Sequence, residues 1–289
     1  MIRPHPVYAA LGTTIFEVMS RMAEEHGAIN LGQGFPDETM PRALLEKAGE
    51  EILNGSNQYP SMLGTPTLRK AVAAHEARHW DLKRRFEDEV VVTSGATEAL
   101  AASILAFVGE GDEVIVFEPL YDAYVPLIRR AGARAVPVRL APPDWKLDTA
   151  ALKRALTPKT RAILLNDPLN PAAKVYALSE LEAIAALAEE ADLLAIVDAV
   201  YERTTFDGRP HILGAPSRHD EPHTEDRLGG KDLLGDRLEG RLGDGADRAR
   251  EARRQGAQFL TFATPPTSRP PSLTDGLIIG ILGFPASRL

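Results

Sequence analysis

Between residues 90 and 201 the chain alternates short apolar runs with longer helical patterns, and this alternation constrains its fold more than any other feature. The apolar runs predict strands at 90–93, 112–119, 133–140, 161–168 and 193–201. The segments between and before them predict helices at 41–54, 67–80, 94–108, 121–132, 147–156 and 179–192. Strands that are apolar along their whole length are covered on both faces. We therefore predict an α/β fold with a mostly parallel sheet and helices on both of its faces.

Two of the predicted helices carry signals for their first residue. Asp148 precedes one helical pattern and can cap it. Ser179 and Glu182 are three residues apart, which is the spacing of a reciprocal capping pair. Each signal predicts where its helix begins.

Composition narrows the class of protein. The 289 residues include no cysteine, which excludes disulfides, thiolate metal sites and cysteine nucleophiles. Acidic residues outnumber basic ones by 41 to 33, and this argues against nucleic-acid binding, which needs a basic face. No apolar run is long enough for a membrane span, and the first residues lack the apolar core of a signal peptide. We expect a cytoplasmic protein with no membrane segment, and no metal site.

Ligands of parallel sheets bind at the carboxyl ends of the strands, so the residues after each predicted strand are the candidate site. The small residues at 94–97 open a helix whose backbone N–H groups could cradle a phosphate, although a tight turn capped by Thr97 is an alternative. The glycine patterns of dinucleotide sites and P-loops do not occur, which disfavours a nicotinamide oxidoreductase. Tyr121 follows the next strand and could stack on a flat ring or simply begin a half-buried helix.

Two further strands are followed by polar residues. Asn170 could donate a hydrogen bond to a ligand oxygen or could serve only its Asn/Pro-rich turn. Asp198 ends an apolar strand, where an acid is costly without a partner such as a protonated ring nitrogen, a helix cap or a cation. A phosphate cradle, a stacking ring, an oxygen donor and a buried acid together suit one phosphorylated cationic heterocycle, which is pyridoxal phosphate.

Motifs at these positions resemble those of the class I/II aminotransferases, which are fold-type I pyridoxal-phosphate enzymes. The resemblance is strongest to the subgroup of kynurenine, glutamine and methionine aminotransferases and extends over roughly residues 5–212. The motifs are INLGQGFPD, NQYPSMLGTPTLRKAVA, VVVTSGATEAL, DEVIVFEPLYDAY, LLNDPLNPAAKV and IVDAVYERTTFDG.

The resemblance implies a role for each cofactor-facing residue. The phosphate would be held by Gly95, Ala96 and Thr97. Tyr121 would stack on the pyridine ring, and Asp198 would pair with its protonated nitrogen. Asn170 and Tyr201 would bond the ring's phenolic oxygen, and Tyr201 would also tune the proton affinity of the lysine–cofactor bond.

The resemblance also implies contacts to the substrate and to a second subunit. Gly34 and Asn170 would contact the substrate, Gly34 through its backbone to the carboxylate. Tyr59 would reach the phosphate of the neighbouring subunit's cofactor, which implies a homodimer. The chain departs from the family at Ala173, where glycine is usual, and at Ala199, where glutamate is frequent.

A charged segment interrupts the resemblance. From Gly214 to Gly256 there is no aromatic residue and no Ile, Val or Met, and 19 of the 43 residues are charged. This composition predicts a poorly ordered, highly charged segment. His219 and His223, spaced i, i+4 within it, are most simply incidental rather than metal ligands.

The motifs and the charged segment divide the chain into four parts. These are an N-terminal arm with the substrate-contact segment (1–45), a cofactor-binding large domain (46–212), the charged segment (213–256), and a large-domain remnant with an aberrant tail (257–289). We expect the small C-terminal domain of the family to be largely missing.

A shift of reading frame is our hypothesis for this segment. Residues 230–245 can be encoded so that reading one nucleotide later gives GKTFSVTGWKVGWVT, which resembles the family's lysine motif. The family-like frame returns at 257–266 and is lost again at 267. Because the lysine codon of the shifted frame overlaps that of Lys231, Lys231 is the candidate for the catalytic lysine that bonds the cofactor.

The resemblance implies transamination between an amino acid and a 2-oxo acid, with the freed lysine moving the α-proton as general base. Pyridoxal-phosphate-dependent C–S β-elimination is an alternative within the class, since the leaving group depends on the shape of the pocket. A catalytically inactive relic of an aminotransferase is the alternative outside it.

Overall fold

The computed structural model describes residues 3–34, 40–80, 83–206, 260 and 281–285. The helices are α1 (Pro6–Ala9), α2 (Ile15–Glu25), α3 (Arg42–Asn54), α4 (Pro66–Trp80), α5 (Ala96–Phe107), α6 (Tyr124–Arg130), α7 (Thr149–Ala155) and α8 (Leu178–Glu190). The strands are β1 (Glu113–Glu118), β2 (Arg134–Arg139), β3 (Thr160–Asn166), β4 (Leu194–Asp198) and β5 (Ile281–Pro285).

The strands form one sheet in the order β2-β1-β3-β4-β5. The first four are parallel, and β5 pairs antiparallel with β4. Helices connect the parallel strands, as the alternation in the sequence requires. The predicted α/β fold with a mostly parallel sheet is confirmed.

Alternating side chains of each central strand enter two separate cores, one on each face of the sheet. In β1, Ile115 and Phe117 pack on one face with residues of α7 and α8, including Leu152 and Ile184. Val114 and Val116 pack on the other face with residues of α5 and α6, including Leu100, Ile104, Tyr124 and Ile128. Because both faces are covered, the central positions of β1, β3 and β4 are continuously apolar, and these runs are recognisable in the sequence.

The predicted strand at 90–93 is wrong, because these residues are not part of the sheet that the structure describes. The Val92 N–H instead donates to the Leu63 carbonyl oxygen at 3.0 Å. Gly64 lies so close to this segment that a Cβ on it would be 2.5 Å from Val92 Cγ2. A strand is defined by a ladder of partners, and β propensity alone does not supply them.

The two helix-start predictions have different outcomes. Asp148 caps α7 as predicted, with its carboxylate accepting from the Ala150 N–H at 2.9 Å. The pair Ser179 and Glu182 is wrong, because the N-cap of α8 is Ala177, two residues before Ser179. The Glu180 carboxylate accepts from the N–H of Ala177, the N-cap residue, at 2.8 Å. Glu180 is preferred because the same carboxylate also accepts from Leu147 N–H and Lys174 Nζ.

Candidate functional site

The candidate site lies at the carboxyl edge of the sheet, where β3 and β4 end side by side. Asn166, the last residue of β3, is in register with Asp198, the last residue of β4. The Asn166 amide donates to the Asp198 carbonyl oxygen at 2.9 Å, and its own oxygen accepts from the Asn170 N–H at 2.7 Å. Asn166 is 2% exposed. It therefore ties the loop after β3 to the end of β4, a role that the sequence analysis did not assign.

Asp198 is a buried acid held by two donors. It is 4% exposed. Its Oδ2 accepts from the Tyr124 hydroxyl at 2.7 Å, and its Oδ1 accepts from the Val200 N–H at 3.2 Å. Burial raises the pKa of Asp198 above the ordinary aspartate value, although these two hydrogen bonds act to lower it. The carboxylate is thus placed where an additional cationic partner would stabilise its charged form.

Tyr124 is a second residue that sequence reasoning missed. It begins α6 with its side chain 2% exposed, and burial together with the nearby Asp198 raises its pKa far above the usual tyrosine value. The Tyr121 ring meets the Tyr124 ring edge-on, with centroids 5.7 Å apart and planes at 74°. The available signal was the need of a buried acid for a donor, but that donor is 74 residues away in the chain.

Asn170 and Tyr201 come together from different loops. The Asn170 amide donates to the Tyr201 hydroxyl oxygen at 3.4 Å. Tyr201 is 39% exposed, which leaves its hydroxyl accessible from the cavity beside it. The two residues that the sequence analysis assigned to the same ligand oxygen are therefore neighbours in the structure.

A buried ion pair supports the turn that carries Asn170. The Leu169 N–H donates to the Lys174 carbonyl oxygen at 2.8 Å, which closes the turn. Lys174 Nζ lies 2.8 and 2.9 Å from the two oxygens of Glu180, and the side chains are 7% and 14% exposed. Burial acts to raise the pKa of Glu180, but the hydrogen bonds from Lys174, Leu147 and Ala177 lower it below the ordinary value. Ala173 in this turn has a φ of 51°.

A cavity of 570 Å³ opens at this edge of the sheet. Its lining is contributed by the loop after β3 and by the segment after β4, and both Asn170 and Tyr201 are part of it. The lining residues are Pro168, Leu169, Asn170, Pro171, Ala173, Val175, Tyr201, Thr204, Thr205 and Phe206. The volume is within the range of small-molecule sites, and of the predicted site residues Asn170 and Tyr201 line it, whereas Asp198 and Tyr121 do not.

The length of α5 indicates where its N-terminus lies. The short connection 108–112 joins the end of α5 to the start of β1, and Leu100 and Ile104 of α5 pack on the sheet with Val114 and Val116. A helix of about 18 Å that runs back along the ~20 Å of β1 is expected to begin near the carboxyl ends of the strands. Gly95 is the N-cap with a φ of 89°, and among the described residues, its chain neighbours aside, no heavy atom lies within 4 Å of where its Cβ would be. Ser94 donates its N–H to the Glu98 carboxylate. Open space before a helix N-terminus at Gly95, Ala96 and Thr97 suits an anion.

Three predicted site residues are not joined to this group by the structure. Gly34 is exposed, and the residues that follow it, 35–39, lie outside the described part. Tyr59 is 85% exposed. Lys231, with the charged segment 213–256 and the histidines 219 and 223, lies outside the described residues. No helix in the described part of the chain has the length and apolar character of a membrane span.

The sequence matches the family model for aminotransferase class I and II over residues 26–223. The chain is 48% identical over 202 residues to a probable N-succinyldiaminopimelate aminotransferase, DapC, of Mycobacterium tuberculosis, covering 69% of this chain and 51% of that protein. It is 39% identical over 215 residues to methionine aminotransferase of Escherichia coli, covering 74% and 56%. The chain thus spans about half the length of the curated relatives it matches.

Solved structures agree with these matches. The structure of N-succinyldiaminopimelate aminotransferase from M. tuberculosis superposes with a TM-score of 0.80 at 36% identity, covering 95% of this chain and 73% of that chain. YbdL from E. coli, described as having a methionine aminotransferase function, superposes with a TM-score of 0.79 at 31% identity, covering 95% and 72%. The predicted resemblance is confirmed: the chain belongs to the aminotransferase class I and II family.

Proposed function

We propose that this chain binds pyridoxal phosphate at the carboxyl edge of its sheet and serves amino-group transfer from an amino acid to a 2-oxo acid. Transamination is the activity of the family, whose members depend on pyridoxal phosphate. The observation that carries the proposal is the buried Asp198, which lies at the strand end beside the loop that brings Asn170 to Tyr201.

The described residues fit the cofactor. Burial raises the pKa of Asp198, and a protonated ring nitrogen beside it would stabilise its charged form. Asn170 and Tyr201 present an amide and a hydroxyl at the cavity wall, where they would hold the ring's phenolic oxygen. The open space before Gly95 would take the phosphate, with Ala96 and Thr97 following at the helix N-terminus.

The chain's own groups would bind, orient and move protons around the bound cofactor. When bound, pyridoxal phosphate supplies an electron-poor ring that stabilises negative charge at the substrate's α-carbon. The Asp198 carboxylate would keep the ring nitrogen of the cofactor protonated. The Tyr121 ring, which Tyr124 contacts edge-on, would stack on the cofactor ring and hold its plane. Tyr201 would donate its hydroxyl proton toward the phenolic oxygen, and Lys231 is our candidate for the group that moves the α-proton.

We propose a reaction class for this chain and no particular substrate. The relatives' names give N-succinyldiaminopimelate, methionine and kynurenine as substrates. Enzymes with these substrates share the amino acid and 2-oxo acid chemistry and differ in what the side-chain pocket accepts. We extend only the shared chemistry to this chain, and we place it in the cytoplasm.

Tyr59 supports a homodimer as part of the proposal. Its side chain is 85% exposed, as expected of a group that reaches another subunit. Two measurements test this: light scattering gives the molar mass in solution, and a titration compares the cofactor affinities of wild type and Tyr59→Phe. A monomer that binds the cofactor equally well in both forms contradicts it.

The charged segment has a separate proposal, a reading-frame shift in the gene. It is supported by the family-like peptide GKTFSVTGWKVGWVT that a one-nucleotide shift generates from residues 230–245. The match to the family model ends at residue 223, within the segment. Sequencing the source DNA tests this hypothesis. Codons that give the family motif in the shifted frame support the hypothesis, and codons that do not give the motif refute it.

An absorbance titration tests the proposed function. Pyridoxal phosphate added to the full chain is expected to give a saturable shift of its visible band. Lys231→Ala should lose the shift, while Asp198→Ala should weaken binding because the ring nitrogen loses its partner. Addition of an amino acid donor should then convert the band to that of the amine form. A wild-type chain that gives no saturable change overturns the proposal and favours a relic that keeps the fold alone.

A further inference from the structure

We propose that Tyr124 is a positioning residue that joins Asp198 and the Tyr121 ring into one rigid unit, with its hydroxyl acting on the acid and its ring edge on the stacking ring. The inference rests on the proposed function, since it concerns how the cofactor-facing groups are held. Tyr124 is the last residue of the motif DEVIVFEPLYDAY, but the resemblance gave it no role, and it does not line the cavity.

The hydroxyl of Tyr124 makes the first of the two contacts. It donates to Asp198 Oδ2 at 2.7 Å, and the partners lie on α6 and at the end of β4, 74 residues apart. The other oxygen of the carboxylate, Oδ1, accepts from the Val200 N–H. Each carboxylate oxygen can accept two hydrogen bonds, so both retain capacity for a further donor. The two bonds set the plane of the carboxylate before a ligand arrives.

The ring of Tyr124 makes the second contact. Its edge-on contact with Tyr121, with centroids 5.7 Å apart, is the arrangement that aromatic pairs favour. Tyr124 is itself held within the core on one face of the sheet, among residues such as Ile128 and Leu100. Because Tyr124 is fixed within the core, the Tyr121 ring that packs against it is fixed as well. The acid and the stacking ring are therefore placed relative to each other by one residue.

The hydroxyl keeps its proton over the working pH range. Burial and the charge of Asp198 raise the pKa of Tyr124 far above that of free tyrosine, and Tyr121 and Tyr201 act in the same direction. The group therefore remains a donor. A neutral donor at 2.7 Å stabilises the charged form of Asp198, which is the form that pairs with a protonated ring nitrogen.

Tyr176 offers a matched control within the same chain. It is 1% exposed, and its ring meets Phe117 edge-on, with centroids 6.0 Å apart and planes at 69°. Its hydroxyl has no hydrogen-bond partner among the residues that the structure describes. Tyr124→Phe and Tyr176→Phe thus remove the same atom from equally buried rings, and only the first removal breaks a bond to the acid.

Binding of two ligands separates a positioning role from a merely structural one. The probes are pyridoxamine phosphate, which needs no lysine, and its analogue with carbon in place of the ring nitrogen. We expect Tyr124→Phe to weaken pyridoxamine phosphate binding by about tenfold, the typical worth of a hydrogen bond to a charged group. The carbon analogue should lose less than about twofold because it makes no use of Asp198, and Tyr176→Phe should change neither affinity. Equal weakening of both ligands by Tyr124→Phe, or no weakening of either, overturns the proposal.

A double-mutant cycle on the cofactor-free chain keeps the inference separate from the proposed function. Unfolding by urea is measured for wild type, Tyr124→Phe, Asp198→Ala and the double variant. A coupling of about tenfold or more in the folding equilibrium constant supports the Tyr124–Asp198 unit, and a coupling below about twofold overturns it. If wild type binds neither ligand, the proposed function fails, and the cycle still decides whether Tyr124 positions the acid.

Discussion

Ala173 occupies a left-handed backbone conformation in the turn that carries Asn170, with a φ of 51°. Its Cβ crowds its own backbone there, at a cost of roughly 1–2 kcal/mol. Replacing it with glycine removes this cost, while the greater freedom of glycine in the unfolded chain costs about 0.4–1 kcal/mol. Ala173 is exposed, so the lost methyl group removes little packing. We therefore expect Ala173→Gly to stabilise the protein by about 0.5–1 kcal/mol, the reverse of the usual effect of such a substitution.

Urea unfolding monitored by circular dichroism measures this difference directly. In a thermal scan the same free energy corresponds to about 1–4 °C, given a shift of roughly 2–4 °C per kcal/mol for a domain of this size. The matched control is Ala172→Gly in the same turn. Ala172 is not among the residues with positive φ, and it packs against the core, so its replacement should destabilise by about 1 kcal/mol.

The two variants must move in opposite directions for the reasoning to hold. A loss of stability in Ala173→Gly equal to that in Ala172→Gly would show that the turn does not hold residue 173 at positive φ in solution. The test needs no cofactor, so it is independent of the proposed function.

Three further outcomes follow from the described contacts. Gly64→Ala should destabilise by about 2 kcal/mol or more in urea unfolding, because the new Cβ would meet Val92 at 2.5 Å at a φ of +93°; full stability would contradict this close approach. Burial raises the folded-state pKa of Asp198 above its unfolded value, so its contribution to stability is fully present below about pH 4 and is lost as pH rises through the folded pKa. Over that window the melting temperature of wild type should fall relative to that of Asp198→Asn, which does not titrate. A difference between the two that is independent of pH would refute this reasoning. Glu180→Ala should cost about 3 kcal/mol because Lys174 stays buried without its carboxylate. Lys174→Met combined with Glu180→Gln should recover most of the loss, because the glutamine oxygen can still accept from the backbone N–H groups; equal losses in the two variants would contradict the ion-pair explanation.

Local patterns predicted most of the described fold. The strand predictions at 112–119, 133–140 and 193–201 each contain an observed strand, and the prediction at 161–168 overlaps β3, which begins one residue earlier. They succeeded because the central positions of strands covered on both faces are apolar. The run at 90–93 has the same composition and is not in the described sheet, since strand formation requires neighbours that composition does not specify. The capping prediction at Ser179 failed for a similar reason: Glu180 has long-range partners at Leu147 and Lys174 that local spacing does not reveal.

For the candidate site, the sequence by itself determined which residues stand at the carboxyl ends of the strands, because strand ends and turns have local signatures. The motifs around Asp198 and Asn170 also determined the family. Only the tertiary structure decided how these residues are held. The register of β3 against β4 brings Asn166 to Asp198, and the packing of α6 on the sheet brings Tyr124 to the same acid. Such contacts join residues 32 and 74 positions apart, and they depend on which elements pack together rather than on any spacing along the chain.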